Sequence, residues 1–165
     1  VRKRNLYVMI ILLVVFIIGV VGQQFDDFYL AKKINVNGLE LFMKEKEVTE
    51  LFGEEDPEES YCMGCGPDMN YKKLGLFARL SETKHYIKSI KITNSTYDLL
   101  SIKPNQKIST AQKLLKDMGF TIVEKDHRRQ VYQKKRLIFR LFIDQGIITS
   151  AQVEYQVKKD NNIIY

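Results

Sequence analysis

The chain has 165 residues, enough for one compact domain or two very small ones. Its 45% apolar and 28% charged residues exclude a largely disordered protein. The formal charge is +6, but Arg2, Lys3 and Arg4 supply three of those charges ahead of an apolar segment. The excess left over is too weak for a nucleic-acid-binding face, so no nucleic-acid partner is expected.

Residues 1–5 read as a basic cytoplasmic end. Leu6–Val21 carries no charge, and the uncharged run from Asn5 to Phe25 is closed by Asp26 and Asp27. About 20 helical residues cross a hydrocarbon core of ~30 Å, so 6–25 is expected to be a transmembrane signal-anchor helix. The basic flank comes first, which by the positive-inside rule leaves everything downstream outside the cytoplasm. The expected location is the cell membrane, single-pass, with the N-terminus cytoplasmic. A cleaved secretory signal, which would release the domain, and a buried core helix are the competing readings. Residues 26–33 read as a linker whose aromatic rings, Phe28 and Tyr29, suit either a membrane interface or the domain.

A first αβ unit is expected over 34–100. Val48, Leu51 and Phe52 recur at helical spacing and Gly53 follows where a C-terminal cap wants positive φ, which predicts a helix over 44–52. The acidic run Glu54, Glu55, Asp56, Glu58, Glu59 reads as a solvated loop; the alternative, a calcium site, lacks the alternating oxygen ligands and central glycine of a calcium loop. Residues 74–80 and 86–93 read as a hairpin. A second unit is expected over 101–157. Ile108, Ala111, Leu114, Leu115 and Met118 predict a helix ended by Gly119, and 131–134, 137–143 and 147–155 read as strands. The tail, 158–165, has no predicted element.

The two units read as a repeat of one another, with chance similarity between two αβ segments as the alternative. At an offset of 61, Tyr71 meets Tyr132, Arg79 meets Arg140, Ile87 meets Ile148 and Ser89 meets Ser150. The predicted fold is α+β: an N-terminal transmembrane helix, then two short helix-plus-antiparallel-meander units forming one sheet with helices on one face. The other sheet face would be solvated and available for binding.

Gly38, Glu47, Val48, Leu51 and Gly53, in the phrase GLELFMKEKEVTELFG, carry a family likeness. The phrase resembles the small units of the SmpA/OmlA outer-membrane assembly lipoproteins, and the tandem resembles the β-lactamase inhibitor protein. It is also similar to secreted or membrane-anchored proteins of Gram-positive bacteria with uncharacterised domains of this type. The second unit matches less well, having Lys113 where an acidic residue is expected. The resemblance implies a helix-plus-meander fold and a non-enzymatic binding role, and it carries no catalytic residue across.

Cys62-Met63-Gly64-Cys65 is the sharpest local motif. Outside the cytoplasm it reads first as a disulfide, which over so short a loop stabilises little. Unpaired thiols, a redox pair and a metal site are the alternatives; Gly66-Pro67 gives turn chemistry rather than a helix start for a reactive thiolate. His85 and His127 lack finger spacing and read as solvated, so no metal is expected. The basic positions Arg128, Arg129, Lys134, Lys135 and Arg136, with Arg79 and Arg140, form the candidate interaction surface, or else an ordinary charged hairpin. Asn94-Ser95-Thr96 is a sequon relevant only to a eukaryotic secretory route. With no nucleophile–base pair and no phosphate loop, no enzyme activity and no cofactor are expected.

The leading functional expectation is a membrane-anchored, extracytoplasmic binding or scaffold domain with another cell-envelope protein as partner. An inhibitor of a secreted enzyme and a CxxC thiol–disulfide protein are the alternatives.

Overall fold

The computed structural model describes residues 26–56, 68–81 and 85–156. In chain order these form a helix at 26–32 (α1), β1 (Asn35–Val36), β2 (Leu39–Glu40), α2 (Glu45–Phe52), β3 (Asp68–Tyr71), β4 (Leu76–Leu80) and β5 (Ile87–Ile92). Then come α3 (Ile108–Asp117), β6 (Thr121–Lys125), β7 (Arg129–Lys134), β8 (Leu137–Asp144) and β9 (Ile147–Tyr155).

The expected architecture needs correction. The described chain is mostly sheet, with a two-stranded β1–β2 ribbon and a seven-stranded antiparallel sheet in the order β3-β4-β5-β9-β8-β7-β6. The proposed transmembrane segment, 6–25, lies outside the described residues, and among those residues no helix is long and apolar enough to cross a membrane. The two units are also unequal: three strands precede α3 in the large sheet and four follow it. The extra strand is β6, whose five residues are all exposed. A strand with no buried face lacks the alternation that betrays strands in a sequence. Residues 26–32 are helical rather than a linker, because Ala31 enters the core and the Asp27 carboxylate, 3% exposed, accepts the Arg136 backbone N–H at 3.2 Å.

Alternation along the strands decides which face is core. Leu76, Ala78 and Leu80 of β4, Leu137, Phe139, Leu141 and Ile143 of β8, and Ala151, Val153 and Tyr155 of β9 are buried on one side. They join one apolar cluster with Ala31 of α1, Val48 of α2, and Ala111 and Leu115 of α3. Burial of this kind stabilises by roughly 25 cal/mol per Å² of apolar area, which is why three short helices with little intrinsic stability persist here. The pairing shifts between Arg79 and Leu80, opposite Ser89 and Ile87. Lys88 is the extra residue of this bulge, so Ile87 and Ile90 are both buried while Ser89 and Lys91 lie on the other face.

The helix ends follow local chemistry. Lys44 N–H donates to the Glu47 carboxylate at 2.6 Å at the start of α2. At the end of α3, Gly119 takes φ 81°; Phe120 N–H donates to Leu115 O at 2.9 Å and Gly119 N–H to Lys116 O at 2.9 Å. This closes the helix in a Schellman motif. A buried polar link ties α3 to the sheet, with Gln130 Oε1 accepting from Tyr132 OH at 2.6 Å and from Gln112 Nε2 at 3.0 Å.

Candidate binding face

The face of the sheet turned away from the helices carries two cross-strand rows. One runs Asn70, Phe77, Lys91, Gln152, Arg140, Val131, Glu124, each residue opposite the next in register. The next runs Asp68, Arg79, Ser89, Glu154, Ile138, Gln133, Thr121. The 61-residue offset of the repeat places Lys91 and Gln152 at equivalent positions, and these two face each other across the β5–β9 seam.

The two halves of this face have diverged. In the second half, Val131 and Ile138 are buried at 8% and 6% exposure, although they lie outside the main apolar cluster and on the face away from the described helices. Arg140 Nη1 meets Glu154 Oε2 at 2.5 Å and helps shelter them, and Arg129 bonds Glu124 at the far edge. In the first half, Asn70 and Phe77 hold the places along the row that Val131 and Arg140 hold in the second. There the surface sinks into a depression of about 220 Å³ lined by Asn70, Phe77, Ala78, Arg79, Ser89, Lys91 and Gln152. Lys91 Nζ lies 5.8 Å from the Phe77 ring centroid and 5.2 Å from that of Phe142. Two rings holding one ammonium fix its position while leaving its charge unneutralised. Gln152 Nε2 donates to Ser89 Oγ at 2.8 Å, which leaves the Ser89 hydroxyl proton free to donate. Arg79 already has a partner within the chain.

The outer edge next to the depression is closed by Glu55 and Asp56 of the acidic run, which are engaged with the backbone rather than free as expected, while Glu58 and Glu59 lie outside the described residues. Glu55 Oε2 accepts Asn70 N–H at 3.0 Å, and Asp56 N–H donates to Asn70 O at 2.8 Å, so both outward backbone groups of Asn70 are satisfied. The Asp56 carboxyl sits below its ordinary 3.8, chiefly because the Lys73 backbone N–H bonds it. Tyr71, whose hydroxyl reaches Gly53 O at 3.2 Å, is pushed above its ordinary 10.0 by burial and then by the charges of Glu55 and Glu54.

The sequence-predicted surface residues do not form one patch. Arg79 and Arg140 share the open face. Arg128 and Arg129 stand at the β6–β7 turn, where Asp126 accepts both backbone N–H groups and is thereby held below its ordinary value. Glu124 bonds the Arg129 guanidinium and raises its pKa. Lys134 faces the helices: its side chain is 17% exposed, and its ammonium bonds Asp26 at 2.6 Å and Met118 O at 2.8 Å, clamping α1 to the end of α3. Lys135 and Arg136 are exposed in the β7–β8 turn, at the other end of a six-residue strand from Arg129 and so roughly 17 Å away. Cys62 and Cys65 lie outside the described residues, and the expected disulfide has no counterpart among the described ones. No group of three His, Cys, Asp or Glu able to hold a metal occurs among the described residues. Asn94 of the sequon spends its amide on the fold: Nδ2 donates to Leu74 O at 3.3 Å and Oδ1 accepts Thr96 N–H at 2.9 Å.

Sequence reasoning missed Lys91, Gln152, Ser89, Asn70, Phe77 and Phe142. The available signal was the repeat itself. At the offset that aligns Arg79 with Arg140, polar Asn70 and Lys91 replace Val131 and neutral Gln152, a departure from symmetry that points to the first unit.

Fold and face together define a seven-stranded antiparallel sheet with helices on one side and, among the described residues, no helix on the other. No family model matches the chain, and no curated protein matches it. Two solved structures are similar. An extracellular protein containing a SCP domain from Bacillus anthracis str. Ames matches with a TM-score of 0.53 at 9% identity, over 70% of this chain and 44% of that one. A DUF4309 family protein, YjgB, from Bacillus subtilis subsp. subtilis str. 168 matches with a TM-score of 0.45 at 12% identity, over 77% of this chain and 85% of that one. The chain therefore spans less than half the length of the first, and likeness at this identity speaks to the fold alone. Neither is an SmpA/OmlA-type protein.

Proposed function

We propose that the chain is a non-enzymatic binding domain that works outside the cytoplasm and engages another protein through the open face of its sheet. The observation that carries this reading is the divergence of the two halves. One half of the face is closed by Val131, Ile138 and the Arg140–Glu154 pair, whereas its counterpart keeps a polar depression around a ring-held Lys91. An open sheet needs no such depression for stability, and a half-buried cation costs desolvation. The order of charges along residues 2–27, basic then uncharged then acidic, supports export of the domain. The similar SCP-domain protein is described as extracellular, in keeping with that location.

The test is site-specific photocrosslinking in intact cells. A photoreactive phenylalanine analogue replaces Phe142 on the open face or Lys113 on exposed α3. The expected result is one defined adduct from Phe142 and none from Lys113. Equal capture from both positions, or none from Phe142, refutes the reading.

A further inference from the structure

The depression around Lys91 carries more than a general docking role, because its lining restricts the chemistry of what enters. Among its described residues are two cations, Arg79 and Lys91, three neutral hydrogen-bonding side chains, Asn70, Ser89 and Gln152, and one ring, Phe77; none is a carboxylate. The nearby acids are committed elsewhere. Glu154 is bonded to Arg140, and Glu55 and Asp56 lie beyond β3, bonded to the backbone of Asn70 and Lys73. Arg79 already has a partner within the chain. Lys91 forms no ion pair among the described residues, and its ammonium is held between Phe77 and Phe142.

The volume sets a second restriction. About 220 Å³ is below the roughly 300–1,000 Å³ of pockets for drug-sized ligands, and it suits one side chain. The Phe77 ring offers apolar contact to an aliphatic stem, while Lys91, the Ser89 hydroxyl and the Gln152 amide offer donors to its end. A short side chain with an aliphatic stem and an anionic tip meets both demands.

Resting on the binding-face reading above, we infer that this depression receives a carboxylate side chain of an acidic segment on a partner protein, with Lys91 as its counter-ion. The seat is shallow and part of its charge remains hydrated, so the pairing sets which segment docks more than how tightly.

Isotope-labelled full chain is titrated with a capped peptide of glutamate and phenylalanine, with its glutamine counterpart, and with inorganic phosphate, following backbone amide signals by NMR. The acidic peptide shifts the amides of Phe77, Ser89, Lys91 and Gln152, and the glutamine peptide binds about tenfold more weakly, as the loss of one charge-assisted hydrogen bond requires. Lys91→Met weakens the acidic peptide by a similar factor and Lys91→Arg keeps it. The melting temperature of Lys91→Met stays near wild type, since a thioether also packs well against rings. Equal binding of the two peptides, undiminished binding by Lys91→Met, or shifts centred on the helical face overturns the inference. Phosphate reproducing the full response marks a non-selective anion site and overturns it too. In each of these outcomes the Phe142 crosslink still decides separately whether the open face is the binding face.

Discussion

Replacing Gln130 by leucine should unfold the protein more easily than its small change in size suggests. Gln130 is 6% exposed, and its carbonyl is the acceptor for both Tyr132 OH and Gln112 Nε2. Leucine removes both bonds at once. Tyr132 is 5% exposed, so its hydroxyl finds no water, and an orphaned buried donor costs about 1–3 kcal/mol. Gln112 is only half-buried and can turn to solvent, adding about 0.5 kcal/mol. The gain from burying an apolar side chain offsets part of this, leaving a net loss of about 2 kcal/mol. Tyr132→Phe alone removes one bond and leaves Gln130 its contact with Gln112, costing about 1 kcal/mol. In the double variant there is no hydroxyl to orphan, so the total should fall well below the sum, with a coupling of about 1 kcal/mol or more. Urea unfolding followed by far-UV circular dichroism measures all four proteins. Additive losses would refute the claim that Gln130 acts as the shared acceptor linking α3 to β7.

The remaining expectations concern caps, pairs and pH. Gly119→Ala should cost about 1 kcal/mol in urea unfolding, because φ 81° strains a side chain while the space itself is open, with Lys134 Nζ 3.5 Å from the added carbon. Arg140→Met should cost about 1 kcal/mol by stranding a three-quarters-buried Glu154, and Arg140→Met with Glu154→Leu should recover most of it. The Asp26 carboxyl is held below its ordinary 3.8, first by the hydrogen bond from Lys134 and then by the charges of Lys134 and Lys135. The unfolded chain therefore takes up that proton first as pH falls; the stabilisation is complete above the unfolded value and is lost as pH drops through the folded one. Asp26→Asn should flatten the acid limb of the melting temperature below about pH 4, an effect that is small for a half-exposed pair and shrinks with salt. Burial raises Tyr132 above its ordinary 10.0, so its stabilisation is present below that pH and lost as the medium grows more alkaline, and Tyr132→Phe should soften that loss.

Local signals reached the helices. The apolar spacing of α2 and α3 and the glycines at 53 and 119 placed both helices within a residue or two of where they lie. The β1–β2 ribbon also had its signal, since Asn37-Gly38 takes φ 53° and 94° as a two-residue turn requires, but strands of two residues leave no alternation to read. Helix α1 leaves no clear signal in the sequence because it opens on charged Asp26 and Asp27, whose partners, Lys134 and the Arg136 N–H, lie over a hundred residues away.

The sequence by itself determined where α2 and α3 stop and which residues seek a core, because these depend on spacing within a few turns of chain. Tertiary structure alone decided that β5 lies beside β9, that the bulge at Lys88 keeps Ile87 in the core while Lys91 stays on the open face, and that Asn70, Lys91 and Gln152 converge on one depression. Pairing between strands separated by some sixty residues is set by how whole faces bury against one another. No short window of sequence contains that information.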